Sequence, residues 1–554
     1  MIYSGPVACA KAPAVWREPT TVLLGFGVLA VLFTYPLVFH LGGVGRIDNG
    51  DGQFSIWNVA WVARALVLDP IHVFDANIFY PHRGTLTYSE TNLGAGTLAV
   101  PVYWATRNAY AAHNFVLFLS FVLSATGMYC LVRYIVADRR AASIAAICFA
   151  FCPYILAHTP HIQLLMTAGL PFSMLALHRL VDASTPGRGA VLGLLMAGQA
   201  YFCGYYAVFV VLMIAFSMLV LATRRQLWTD SRFLTAVGVA AVVAVVAALP
   251  LLVAYVSHQR GTGFARSLQS SREFSASWRD YLASASYAHA PMLRVAGHSA
   301  TADMLFPGFV ALLLGGVGAA VGWRAGGRLR EMAALYGGIG LLACWLSFGP
   351  AAGLYSVFYS AIPVFTLMRA PGRFGLIVVF ALCALASIAL AALFAKARRP
   401  AVLLMLVAAA AIAELMAPLR FPAVRPVDEG YRVLATLPKG PVLELPVYSR
   451  PFGFVRESYM LSSTVHWMPL IDAYSDYIPE DFTANMETLG GFPSREAFGV
   501  LAPIGARYAV FHVDAYDANA RTKLGGRLKA FAPYLEERYA GERLWLYEIV
   551  GFPQ

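Results

Sequence analysis

The chain has 554 residues, of which 59% are hydrophobic and 13% charged, and its mean hydropathy is +0.63. A soluble domain carries about 25% charge, so an ordinary soluble protein is excluded and lipid must cover much of this chain. The net charge of +11 is uneven: from Leu419 onward there are fourteen Lys or Arg against sixteen Asp or Glu, so the positive excess lies earlier, in short segments between apolar runs. That placement fits orientation in a membrane rather than nucleic-acid binding.

In chain order, the first apolar run starts near Thr21, and its flank, Phe39–Gly45, lacks a small-residue cleavage site. It reads as a retained first helix, not a removed signal. Apolar length and breakers predict eleven spans, near residues 20–41, 114–136, 141–158, 163–181, 189–203, 205–222, 233–256, 304–323, 332–348, 374–395 and 401–418. Every second loop is short and basic: Arg133, Arg139 and Arg140; Arg179 and Arg188; Arg224, Arg225 and Arg232; Arg324, Arg328 and Arg330; Lys396, Arg398 and Arg399. By the positive-inside pattern these loops and residues 1–19 are cytoplasmic. An odd number of spans then puts residues 419–554 outside.

The first external loop, 42–113, is long and carries Asp48, Asp51, Asp69, Asp75 and Glu90. Within it, Phe54–Leu68 has the spacing of an amphipathic helix on the outer interface, and Leu93–Tyr103 is apolar but short for a span. The other long external loop, 257–303, holds Arg260, Arg266, Arg272 and Arg279, which depart from positive-inside and suit an anion. After the last span, Pro441–Pro446, Tyr508–Val513 and Leu544–Val550 have β-type patterning with helical segments between them, as at Gly430–Leu437. The fold class is therefore an α-helical polytopic membrane protein, residues 20–418, with a small C-terminal α/β domain, 419–554.

Asp48 and Asp51 sit three apart in Arg46–Trp57, with Gly50 and Gly52 beside them. A partly desolvated Asp there can serve as a general base, because burial raises its pKa toward a useful range; a pair can also hold a divalent cation. The bland reading is a polar turn capping a helix. In His158–Gln163, His158 and His161 can bind phosphate, move a proton or ligate a metal, or simply cap a helix end. Arg369 and Arg373 flank Pro371 at the outer boundary before a span. The guanidinium fork suits phosphate, while snorkelling to headgroups is the alternative. Tyr459–Leu470, with His466 and Trp467, and then Tyr474 can stack on a sugar or form a packed seam. Cys148 and Cys152, i,i+4 on an apolar helix, read as small core residues before metal ligands. No phosphate loop, dinucleotide fingerprint, HExxH or nucleophile elbow occurs in context.

These residues and this topology resemble the GT-C superfamily of membrane glycosyltransferases, most closely its YfhO-like bacterial members. The resemblance rests on the acidic stretch from Gly50 to Trp57 after the first span. It rests also on Phe149–Pro153 followed by His158, His161 and Gln163, on Leu305–Gly308, on Arg369–Phe374, and on His466–Leu470 with Tyr474 and Ser475. It implies a cytoplasmic N-terminus, a bacterial inner-membrane location, and transfer of a sugar from a polyprenyl-phosphate donor to an extracytoplasmic glycan, lipid or protein. It implies Asp51 as the catalytic base, with Asp48 second. Its phosphate-binding candidates are His158, His161, Gln163, Glu90, Arg369 and Arg373, and its acceptor-side candidates His466, Trp467 and Tyr474. Mg2+ or Mn2+ is used by some members and not others, so the metal question stays open. A lipid-linked sugar flippase and a non-catalytic envelope assembly protein are the rival readings.

Overall fold

The computed structural model describes residues 17–296, 304–448 and 452–553; the segment before Arg17, including Cys9, lies outside them, as does the end of the second long loop. All eleven apolar runs are helical, because a backbone away from water must bond within its own segment. Among the described residues seven helices are long and apolar enough to cross a membrane: Ala109–Val136, Arg139–Ala157, Ile162–Asp182, Gly204–Arg224, Ser231–Thr262, Gly327–Ser347 and Pro371–Lys396. Thr20–Thr34, Phe309–Ala325 and Pro400–Leu415 are shorter apolar helices. Lipid-type surface is plain on Ser231–Thr262, where Val242, Val245, Val246, Leu249 and Val253 all face outward. Small residues set the close crossings: a Cβ on Gly318 would lie 1.9 Å from the Leu385 carbonyl oxygen, so helix Phe309–Ala325 packs backbone to backbone on the helix ending at Lys396.

Four helices carry and flank the first long loop: α1 (Arg17–Thr34), α2 (Gly50–Leu68), α3 (Leu93–Thr106) and α4 (Ala109–Val136). α2 departs from the expected one-sided helix. Residues Ser55 to Ala63 are all buried, because α3 and α4 pack along it and helix Glu457–Ser462 covers its start. α3 ends after 14 residues at Arg107, which takes a left-handed conformation (φ 54°). Cys148 and Cys152 are free and buried in the apolar core.

At one end of the bundle the basic loops converge. Arg225 bridges Asp182 (2.6 Å) and Glu331 (2.8 Å), and Arg328 reaches Asp182 at 3.4 Å. At the other end sits a four-stranded sheet in the order β1 (Val442–Leu445), β2 (Tyr508–His512), β4 (Leu544–Ile549), β3 (Leu535–Ala540). β1 and β2 are parallel, and the other pairs antiparallel. β3 carries no apolar alternation, since Glu536 and Glu537 face water on the sheet edge, which is how natural edges resist pairing. The sheet region is stitched to the first loop by backbone bonds Tyr80 N–H to Leu470 O and Leu470 N–H to Asn77 O. Buried Asn77 adds bonds from its amide to Ser463 Oγ and the Met468 carbonyl, and accepts from the Trp57 indole.

Candidate functional site

The start of α2 is built to present Asp51. Asn49 caps the helix, its Oδ1 accepting from Gly52 N–H at 2.9 Å, which orients the first turn. Gly52 is required by space, since a Cβ there would fall 1.7 Å from the Arg46 carbonyl oxygen. The turn around His158–His161 docks on this segment through three links. Ser55 Oγ donates to the Pro160 carbonyl at 2.8 Å, the Arg46 guanidinium bonds Thr159 Oγ1, and His161 Nε2 lies 3.4 Å from Asp51 Oδ2. His158 donates from Nδ1 to the Tyr154 carbonyl at 2.7 Å, which fixes its ring beside that of His161, 6.0 Å away.

The Asp51 side chain is 57% exposed, so a reactant can reach it. Burial was expected to raise its pKa; the opposite holds. The His161 hydrogen bond first, and then the charges of His161, Arg369 and Arg373, hold the carboxyl below its usual range against the contrary pull of desolvation. Asp51 is thus an ionised carboxylate at neutral pH.

Two arginines from the segment before the last long helix face it. The Arg373 guanidinium lies over the Tyr205 ring at 4.1 Å, and no carboxylate within salt-bridge distance is found among the described residues. Arg369 sits over Phe274 at 4.6 Å and 3.6 Å from Asp476, and its Nε is buried without a partner. Its backbone N–H donates to Tyr205 Oη at 2.8 Å, so one tyrosine positions both arginines. Glu90 accepts from Gly204 N–H at 3.2 Å; burial raises its carboxyl, and Arg373 partly offsets this. Buried Gln163 Oε1 and His161 Nδ1 are likewise without hydrogen-bond partners. Cations and unmatched polar atoms thus gather around an ionised carboxylate.

The C-terminal region contributes residues that sequence reasoning missed. Asp476 takes Arg266 at 3.1 Å and the Ser89 hydroxyl at 3.0 Å, joining the two long loops, 42–113 and 257–303. Glu457 is buried beside Asp51. Tyr474 belongs to the same group: burial raises its phenol, and the carboxylates of Glu457, Asp476 and Asp51 raise it further. Asp476 had a partial signal, being the residue after the Tyr474–Ser475 pair; Glu457 had none.

Other candidates lie elsewhere. Asp48 pairs with Arg46 at 3.1 Å and lines a separate cleft of about 640 Å3 with Asp428, His512 and Arg543. His466 is buried and stacked on Tyr431; its Nδ1 accepts from Met468 N–H, and burial, with Lys439, pushes it down to about 3, so it is a neutral packing residue. Trp467 packs on Trp61 with Arg64 over its ring, in a second cleft of about 370 Å3. Among the described residues no three His, Cys, Asp or Glu side chains form a group that could hold a metal ion.

No family model matches the sequence, and no curated protein matches it. Solved structures do. The arabinofuranosyltransferase AftD from Mycobacteria superposes on 97% of this chain with a TM-score of 0.58 at 14% identity. The fold is GT-C-like. ArnT from Cupriavidus metallidurans in the apo state superposes on 97% of this chain and 100% of its own, with a TM-score of 0.50 at 14% identity. The chain spans about two fifths of the AftD length, 40%.

Proposed function

We propose that the protein is a membrane glycosyltransferase that moves a sugar from a polyprenyl-phosphate donor to the hydroxyl or amide of an extracytoplasmic glycan, lipid or protein. The observation that carries this reading is the ionised Asp51 carboxylate, bound by His161 and set within the charge of Arg369 and the unpaired Arg373. Asp51 takes the proton of the acceptor group, whose heteroatom attacks the anomeric carbon. The carbon–oxygen bond to phosphate breaks on the opposite face. The polyprenyl phosphate leaves with its charge held by the arginine forks, stabilisation that grows as the bond breaks. His161, Gln163 and His158 supply ring nitrogens and an amide beside the same space. In this reading the basic loops and N-terminus are cytoplasmic, and the site and the sheet domain face outward in a bacterial inner membrane. AftD, by name an arabinofuranosyltransferase, supports the reaction class through its shared fold.

The test is Asp51→Asn, produced at wild-type level and assayed in membrane vesicles with a panel of radiolabelled polyprenyl-phosphate sugars. Transfer should fall by about 10²- to 10⁴-fold, the usual contribution of a general base. Transfer at the wild-type rate would remove Asp51 from the chemistry, and no transfer by the wild-type protein from any donor of the panel would remove the reading itself.

A further inference from the structure

The carboxyl of Glu457 sits where a charge should not be. It comes from the C-terminal region, at the start of the short helix Glu457–Ser462, and reaches across to the first turn of α2. The residue is 2% exposed, and its Oε2 is buried without a hydrogen-bond partner. It fits only because residue 50 is glycine: a Cβ there would fall 1.4 Å from that same oxygen. Among the described residues no Lys, Arg or His forms an ion pair with it. Its neighbour Arg456 points elsewhere, its Nε–H donating to the Gly453 carbonyl and its guanidinium lying over Phe482. The titratable groups that face Glu457 are Asp51 on α2, whose charge repels a second one, and Tyr474 on the segment after Leu470, a neutral phenol raised by burial and by the neighbouring carboxyls.

An ionised carboxylate without a cation or N–H donor pays a desolvation cost that a neutral acid largely avoids. We infer that Glu457 is a positioning residue of the Asp51 site, a neutral carboxyl wedged on Gly50 that leaves Asp51 the ionised member of a mixed acid pair and closes the site when it loses its proton. Burial first, and the Asp51 charge second, push the Glu457 carboxyl up to about 9. Two neighbouring carboxyls driven apart in this way are the usual arrangement for assigning separate acid and base states. Above that pH a new anion forms at the α2 start, beside Asp51, and its charge opposes an incoming phosphate. The inference rests on the proposed glycosyltransferase reading for the function of the site, while the protonation state itself does not.

The experiment uses the full chain in nanodiscs. Infrared spectra across pH 7 to 10 should show a protonated-carboxyl stretch that disappears on the alkaline side with a midpoint near about 9, and Glu457→Gln should lack it. Affinity for undecaprenyl phosphate, used as the probe, should fall by roughly tenfold across that midpoint in wild type and lose this alkaline fall in Glu457→Gln. If Glu457→Gln fails to fold, Gly50→Ala serves instead, since its methyl displaces the same carboxyl and should abolish the same band. A spectrum showing Glu457 ionised at pH 7, or an alkaline fall that persists in Glu457→Gln, overturns the inference. Absence of sugar transfer by the wild-type protein from every donor of the panel would instead strike the glycosyltransferase reading and leave the infrared assignment standing.

Discussion

The two charged ends of the helix bundle are assembled from the same residue types and reach opposite states. At the end carrying the basic loops, Arg225 lies between Asp182 and Glu331, Asp182 also accepts from the Tyr134 hydroxyl, and Arg328 completes the set. There the charges neutralise one another. Around Asp51, Arg373 has no salt bridge among the described residues. Arg369 keeps a buried Nε without a partner, and Gln163, His161 and Glu457 each leave a buried polar atom unmatched. Buried polar groups are nearly always satisfied; four of the unmatched atoms among the described residues lie around Asp51, and others are spread through the molecule, at Asn92, His113 and Asp472 among them. The basic end is paired within itself; the Asp51 end keeps charge and polar atoms open.

The comparison can be broken by exchanging losses between the ends. The largest effect should come from Arg373→Ala, which should weaken undecaprenyl phosphate binding by about 10- to 100-fold, as loss of a charge-assisted bond worth ~1.5–3 kcal/mol requires. Arg373→Lys should recover only part of it, because an ammonium lacks the planar fork; equal binding by wild type and alanine variant would show that the unpaired arginine holds no phosphate. At the opposite end, Arg225→Ala strands two acids. It should lower stability by ~1–3 kcal/mol, read as a lower unfolding midpoint in detergent, while phosphate affinity stays at the wild-type value. A loss of affinity there would erase the distinction between the ends.

A subtler probe is His161→Ala. His161 is the main group holding the Asp51 carboxyl down. Without it that carboxyl rises, and the ionised base is lost at a higher pH as the medium is acidified. The acid limb of the transfer rate should therefore move to higher pH, and an unmoved limb would mean that His161 does not tune Asp51. The smallest effect is expected for Asp48→Asn. Its partner is Arg46 in a half-exposed pair, and such pairs contribute about 0–1 kcal/mol, so transfer should change by less than about fivefold. A loss as large as that of Asp51→Asn would reverse the order of the two aspartates.

Much of this was legible in the chain itself. Apolar length specified the helices, since a long unbroken apolar run satisfies its own backbone in lipid only as a helix. Alternation specified β1, β2 and β4, while β3, with Glu536 and Glu537 on the edge, carried no such signal. The acidic turn at Asp51, the histidine turn and the Arg369/Arg373 pair were visible as residue types out of keeping with their surroundings.

What the sequence could not order was the company each residue keeps. Asp48 and Asp51 are three residues apart and equivalent on paper. The cap at Asn49 and the first turn of α2 send one toward His161 and the other into a different cleft. His466 and Trp467 read as either sugar-stacking or seam residues; His466 is buried against Tyr431, while Trp467 packs on Trp61 and lines a cleft. Glu457, 406 residues from Asp51 in the chain, meets it only because the sheet region folds back over the first loop. Sequence determined where helices and charges lie along the chain, because those follow from local hydropathy. Tertiary structure decided which charges are paired and which are left open, because pairing depends on contacts between segments hundreds of residues apart.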